Sequence, residues 1–209
     1  MSILTNSLFI SFEGIDGCGK STQVKHLIDK ISQKGLKTLL VREPGGSNIA
    51  EDIRAILLDK KNNKMSNKTE ALLMTASRAQ LTKEIILPKL KEGYILIADR
   101  YQDSTIAYQG GGRDLDISFL KTLNKFATSG LVPDITFYID ISTEEGIKRT
   151  NSDIFDRIES IGEPFQRKVR NEYLILAKNN PDRIFTIDGH KSIDDIHKII
   201  WGITRKRII

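Results

Sequence analysis

The chain has 209 residues, enough for one domain with a substantial core, and its 39% hydrophobic content is globular rather than disordered. Its 32 basic and 27 acidic residues leave a net charge of +5, which suits anionic ligands of nucleotide size and falls short of a nucleic-acid-binding stripe. A single cysteine, Cys18, excludes an intrachain disulfide framework and a thiolate metal site, so a reducing compartment is expected.

The first residues do not read as a cationic segment followed by a long apolar one. No run approaches the ~18 apolar residues of a membrane span. A cytoplasmic location without membrane or nucleic-acid partners is the expectation, with Arg205-Lys206-Arg207 read as a solvated helix end.

The first predicted strand, about Leu8 to Glu13, runs into Gly14-Ile15-Asp16-Gly17-Cys18-Gly19-Lys20-Ser21-Thr22. Gly14, Gly19, Lys20 and Ser21 fit G-x-x-x-x-G-K-[ST] without a mismatch, between a β-rich run and a helical pattern. Glycines there let backbone N–H groups turn towards phosphate oxygens, Lys20 neutralises charge, and the Ser21 hydroxyl suits Mg²⁺. Val24, Leu27, Ile28 and Ile31 then mark a helix stopped at Gly35.

Lys37 to Arg42 predicts a second strand, broken by Glu43-Pro44-Gly45-Gly46 before a helix carrying Ile49, Ile53, Ile56 and Leu57. Lys68 to about Leu90 is helical. The apolar run Tyr94 to Ala98, ending in Asp99-Arg100-Tyr101, suits a buried parallel strand with ligand-binding residues at its C-terminal end. Phe119, Leu120, Leu123 and Phe126 mark another helix, and Ile135 to Ile141 a fourth strand. Ser142 and Glu145 have capping-box spacing. Asn151 to Gly162 is a polar break, read with Thr150 as a mobile lid over about 150–162. Phe165, Val169, Tyr173 and Leu176 give a helix, Ile184 to Asp188 a fifth strand, and Ser192 caps a last helix with Ile193, Ile196, Ile200 and Ile203 inward. Alternating strands and helices predict a single three-layer α/β domain over 1–209, its five-stranded sheet mainly parallel and flanked by helices.

A phosphate loop alone leaves the reaction open, between small-molecule kinases, nucleic-acid-dependent ATPases and GTPase switches. No helicase-like second domain or guanine-reading N-K-x-D motif accompanies it. The segments Arg42-Glu43-Pro44-Gly45-Gly46, Ser77-Arg78-Ala79-Gln80, Asp99-Arg100-Tyr101 with Ser104 to Arg113, and Asp156-Arg157-Ile158-Glu159 decide it: with the loop they closely resemble the thymidylate kinase family, over nearly the whole chain.

The resemblance implies a phosphate-loop nucleoside-monophosphate-kinase fold that dimerises and transfers phosphate from ATP, with Mg²⁺, to thymidine monophosphate in dTTP synthesis. A kinase for another nucleoside monophosphate or a deoxynucleoside is the alternative. By the same resemblance, the backbone from Gly14 to Thr22 binds ATP, and Ser21 and Asp99 serve the metal. Asp16 looks towards the acceptor, Glu43 and Arg54 sit beside it, and Arg78 reaches the thymine carbonyl. Arg100 holds the acceptor phosphate, Thr105 and Gln109 contact the base, and Tyr108 crowds the sugar. Lys20, Arg100, Asp16 and a lid arginine are the catalytic set.

Several positions carry expectations of their own. Some relatives have an arginine in the loop where this chain has Gly17, so the charge is expected from Arg149 or Arg157, with surface ion pairing the plainer role for both. Cys18 stands beside Lys20 at a helix N-terminus, either as a reactive thiol or as a small inert filler. His26, His190 and His197 lack metal-ligand spacing and read as structural. Many relatives stack a phenylalanine on thymine where this chain has Met74, whose thioether packs on a ring with softer geometry. Met74→Phe should therefore raise the preference for thymidine over deoxyuridine monophosphate in turnover assays. Equal preference in parent and variant would overturn that expectation.

Overall fold

The computed structural model describes residues 7–150 and 156–208. Five strands form one wholly parallel sheet: β1 (Leu8–Glu13), β2 (Thr38–Arg42), β3 (Ile95–Asp99), β4 (Ile135–Asp140) and β5 (Ile184–Asp188), in the order β2-β3-β1-β4-β5. β1 lies at the centre, with Ile10 opposite Ile97 of β3 on one side and Ile135 of β4 on the other. Its connection leads outward to β2, whereas that from β3 crosses β1 to reach β4. The chain therefore reverses its winding where β1 and β3 end, the place where open parallel sheets leave a crevice for ligands.

The helices are α1 (Lys20–Ser32), α2 (Asn48–Leu58), α3 (Asn67–Leu81), α4 (Leu87–Lys91), α5 (Gln102–Thr105), α6 (Ile117–Ala127), α7 (Thr143–Thr150), α8 (Glu163–Asn179) and α9 (Ile193–Thr204). Successive β1 side chains face opposite ways: Leu8, Ile10 and Phe12 enter a core with Val24, Leu27 and Ile31 of α1, and Phe9 enters a second with Leu81, Leu96 and Tyr101. Val169, Tyr173 and Leu176 of α8, and Ile196 and Ile200 of α9, are buried as their spacing predicts. Both predicted caps form, Ser142 Oγ accepting from the Glu145 N–H and Ser192 Oγ from the Asp195 N–H.

Two expectations are corrected, and one segment of unassigned form is defined. The helix expected over Lys68 to Leu90 is α3 and α4 joined by one wide π-type turn, Thr82–Ile86. Pro88, which has no N–H for a regular helical bond, falls in the first turn of α4. The run from Ser104 to Arg113 is coiled rather than loose: α5 leads into wide turns over Ile106–Gly112. Its glycines admit α8, since a Cβ on Gly111 would stand 2.5 Å from Glu172 Cβ and one on Gly112 would strike the Phe165 ring. Ile193 of α9, expected inward, is 54% exposed because it opens the helix; Phe119 and Phe126 of α6 and Ile49 and Ile56 of α2 are exposed too, leaving Leu120, Asn124, Ala127, Ala50 and Leu57 as the inward residues. Residues 151–155 of the expected lid lie outside the described residues; Arg157 and Ile158, in its second half, are buried.

Glu13 ends β1 inside the core and ties three elements together. Its carboxylate accepts the Tyr101 N–H at 2.8 Å, the Ser104 hydroxyl at 2.6 Å and the Tyr173 hydroxyl at 2.8 Å. Burial, reinforced by Asp103, raises its pKa from 4.5 to about 7 against the pull of Ser104, Arg100 and Tyr173. A carboxyl whose folded pKa is raised stabilises fully below the unfolded value and loses that contribution as pH climbs through the folded one. Glu13 should thus cost the fold stability between pH ~4.5 and ~7, and Glu13→Gln should flatten the melting temperature over that window. If thermal scans show the parent gaining on the variant as pH rises, this account of Glu13 fails.

Candidate active site

The C-terminal ends of β1, β2 and β3 open onto a cavity of about 440 Å³. At its floor the loop after β1 turns through positive φ at Gly14, Gly17 and Gly19, a region closed to most side chains, and delivers the N-terminus of α1 to the cavity. Lys20 Nζ folds over the loop, donating to the Gly14 and Ile15 carbonyls at 3.0 Å each. Gly17, Gly19, Lys20, Ser21 and Thr22 line the cavity, whereas Ile15 and Cys18 are buried beneath, so these two belong to the cradle through their backbone alone. Cys18 is 1% exposed, and that burial favours the inert filler over the reactive thiol even with Lys20 Nζ 3.6 Å from its sulfur. His26 and His197 pack edge to face between α1 and α9, away from the cavity.

Arg100 stands across from the loop at φ 69°, a left-handed conformation that costs a non-glycine residue about 1–2 kcal/mol. Its backbone N–H is held by the Phe12 carbonyl, and its guanidinium donates to the Gly14 carbonyl at 2.8 Å and Asp16 Oδ1 at 2.6 Å, over the Tyr108 ring. Burial opposes ionisation of Asp16, but Arg100 and Lys20 outweigh it and hold the carboxyl below its ordinary value. Ser21 Oγ and Asp99 Oδ2 lie 3.4 Å apart at the cavity. A hydroxyl and a carboxylate oxygen so placed are hard donors of the kind Mg²⁺ takes.

On the acceptor side, Arg42, Glu43 and Pro44 line the cavity where β2 ends, with a cis Glu43–Pro44 peptide. Arg54 donates to the Pro44 carbonyl at 2.8 Å, and Glu51 takes the Gly46 N–H and pairs with Arg42. Met74, Thr105, Tyr108 and Gln109 complete the wall.

Arg78 lines the cavity and is engaged throughout by the protein. It is 2% exposed and gives Nε to Glu43, Nη1 to Thr105 and Asn124 at 2.7 Å each, and Nη2 to the Tyr101 carbonyl and Glu43. All five guanidinium N–H groups are thereby spent on the protein, none left for a base carbonyl. Burial still raises the Glu43 pKa despite Arg78.

The two candidate lid arginines separate. Arg149, on α7, lines the cavity, held by Glu145 at 2.8 Å and the Gly189 carbonyl at 3.1 Å. Arg157 does not reach it. Its Nε donates to the Leu57 carbonyl at 2.7 Å and its Nη1 pairs with Glu70 at 2.8 Å, so it fastens the lid to α2 and α3. Of the two arginines expected to offer a cation to the reacting phosphate, Arg149 is the one that lines the cavity.

Gly17 has a structural meaning as well. At φ 76° any Cβ there would collide with the Gly146 carbonyl, and one on Gly146 would stand 2.8 Å from the Asp16 carbonyl. Loop and α7 thus touch backbone to backbone, which leaves an arginine at position 17 no room. Glu13, Glu51, Glu70, Ser104 and Asn124 were not read from the sequence. A carboxylate inside the buried strand β1 was the one visible signal among them, since such a group must find partners.

The thymidylate kinase family model matches residues 12–200. Over 201 residues the chain is 49% identical to a thymidylate kinase of Thermosipho africanus, covering 96% of this chain and 99% of the relative. A thymidylate kinase of Lactobacillus helveticus is 48% identical over 205 residues, covering 96% of each chain. The crystal structure of the Ehrlichia chaffeensis thymidylate kinase superimposes with a TM-score of 0.78 at 34% identity, covering 95% of this chain and 98% of its own. Phosphate loop, sheet order, cavity and full-length likeness agree, and the chain belongs to the thymidylate kinase family.

Proposed function

We infer that the chain transfers the γ-phosphoryl group of ATP to thymidine monophosphate, giving the diphosphate. The observation that carries this is one continuous cavity: Lys20, Ser21 and Thr22 lie at one part of its wall, Met74, Thr105, Tyr108 and Gln109 at another, with Arg100 and Asp16 also lining it. Phosphoryl transfer asks for little covalent chemistry; it needs two phosphates in line and cations on the charge that spreads between them. The backbone of residues 14–22 would cradle the donor, with Lys20 exchanging loop carbonyls for phosphate oxygens. Arg100, whose planar fork suits bidentate contact, would trade Asp16 and Gly14 for the acceptor phosphate. Ser21 and Asp99 fit Mg²⁺, which when bound neutralises charge on the donor phosphates.

Arg149 is our candidate for the cation that the loop lacks, since it lines the cavity and is held by one partly exposed carboxylate and one carbonyl. In a coupled assay, ADP release should depend on thymidine monophosphate and fall at least ~100-fold in Lys20→Ala. In the same assay Arg149→Ala should lower kcat far more than it raises the KM for ATP. Arg157→Ala should mainly lower the melting temperature, by about 5 °C. Release of ADP without the acceptor would refute the function; unchanged kcat in Arg149→Ala would refute its role.

A second copy of the chain is the partner we propose. α3 packs against both α2 and α6, and the outer sides of these three helices carry exposed Ile49, Ile56, Leu72, Phe119 and Phe126, the last 83% exposed. Large apolar side chains grouped this way mark an association surface. Sedimentation equilibrium at micromolar concentration should give a dimer for the parent and a monomer for Leu72→Glu/Phe126→Glu; a monomeric parent would overturn the assignment.

A further inference from the structure

Glu70 lies one and two helical turns before Met74 and Arg78, on the same stripe of α3. It is 1% exposed, and both carboxylate oxygens are occupied. Oε1 accepts from Gln109 Nε2 at 3.1 Å and Arg113 Nε at 3.0 Å; Oε2 accepts from Arg113 Nη2 at 2.7 Å and pairs with Arg157 Nη1 at 2.8 Å. Burial works against its ionisation, yet the hydrogen bonds from Arg113, Gln109 and Arg157 hold the carboxyl below its usual range. An ionised carboxylate only accepts hydrogen bonds. The Gln109 amide must therefore turn its NH₂ to Glu70, and its carbonyl oxygen, which takes no hydrogen bond from the described residues, is left free to accept at the cavity that Gln109 lines.

The direction of that amide matters because Arg78 has no donor left. Thymine and uracil carry a hydrogen on the ring nitrogen between their carbonyls. Cytosine carries a lone pair at the same atom. A carbonyl presented there pairs with the first two and repels the third. We propose that Glu70 is a positioning residue for base selection: by fixing the Gln109 amide with its oxygen towards the cavity, it makes the site favour bases that offer a ring N–H. This rests on the reading that Gln109 meets the base of a pyrimidine nucleotide.

The test compares kcat/KM for thymidine and deoxycytidine monophosphates in the parent, Glu70→Gln, Glu70→Asp and Gln109→Leu. A glutamine at 70 can donate as well as accept, so the Gln109 amide is free to reverse. Glu70→Gln should lower the preference for thymidine over deoxycytidine monophosphate at least about tenfold, whereas Glu70→Asp, which keeps the carboxylate, should stay within about threefold of the parent. A merely structural Glu70 would weaken both substrates alike and leave the ratio unchanged, which would overturn the proposal. If Glu70→Gln does not fold, Glu70→Gln/Arg113→Gln replaces it, because one carboxylate against two guanidinium groups becomes none against one and the cluster keeps its net charge. Gln109→Leu separates the two failures. Unchanged turnover of thymidine monophosphate there would overturn the base-contact reading itself, and the proposal with it. A large loss there with an unchanged ratio in both Glu70→Gln and the double variant would overturn the proposal alone.

Discussion

The contact between Gly17 and Gly146 decides how this site can be charged. Two backbones that touch without side chains bring α7 directly against the phosphate loop, and Arg149 follows one turn later on the same helix. An arginine in the loop and an α7 this close are mutually exclusive. Among the cations lining the cavity, beside Arg42, Arg54 and Arg78, are Lys20 on α1, Arg100 after β3 and Arg149 on α7. These three sit on separate elements whose only common frame is the parallel sheet, so the order β2-β3-β1-β4-β5 is a condition of the chemistry as well as of the fold.

The acceptor wall is built on a different economy. Arg78 and Glu70 are buried ions with every donor or acceptor position used, and each joins segments remote in sequence: Arg78 links Glu43, Tyr101, Thr105 and Asn124, while Glu70 links Gln109, Arg113 and Arg157. Leaving either half-paired would strand a charge in the interior, at a cost of about 3–5 kcal/mol. That penalty resists rearrangement of the wall around a poorly fitting ligand. It also couples the second half of the lid to the acceptor pocket, because Arg157 and Gln109 share one carboxylate.

Much of this was legible in the sequence, and the parts that were not share a cause. The inner strands β1, β3 and β4 could be read because they are buried on both faces and appear as short, mostly apolar runs, and the edge strands β2 and β5, only partly buried, as short runs between breaks. The phosphate loop could be read because its spacing is local chemistry. Periodicity found the apolar positions of α2, α6 and α9, but a pattern shows that a face is apolar and not what covers it: Ile193, expected inward, looks outward, as do Phe126 and Ile49. Arg157 was one of two candidates for the phosphates, with ion pairing its plainer role, and it pairs with Glu70, on a helix distant in sequence. Glu70 itself stands at helical spacing from Met74 and Arg78, a stripe visible in retrospect, yet nothing local says that two arginines would converge on it.

Saturation of buried polar groups has a consequence for recognition. Where Arg78 and Glu70 consume their own capacity, the groups left to this part of the wall include the Gln109 carbonyl, the Thr105 hydroxyl proton and the faces of Met74 and Tyr108. Those remnants are few and fixed in direction, and fixed direction lets a hydrogen-bonding site reject a near-isostere that a merely apolar pocket would admit. The phosphate end works the opposite way. Lys20 and Arg100 are held by loop carbonyls and Asp16, partners that phosphate oxygens can replace. The site is therefore rigid where it must discriminate and exchangeable where it must bind charge, and the division between the two runs along Tyr108, which packs against Arg100 on one side and approaches Phe165 and Tyr173 of α8 on the other.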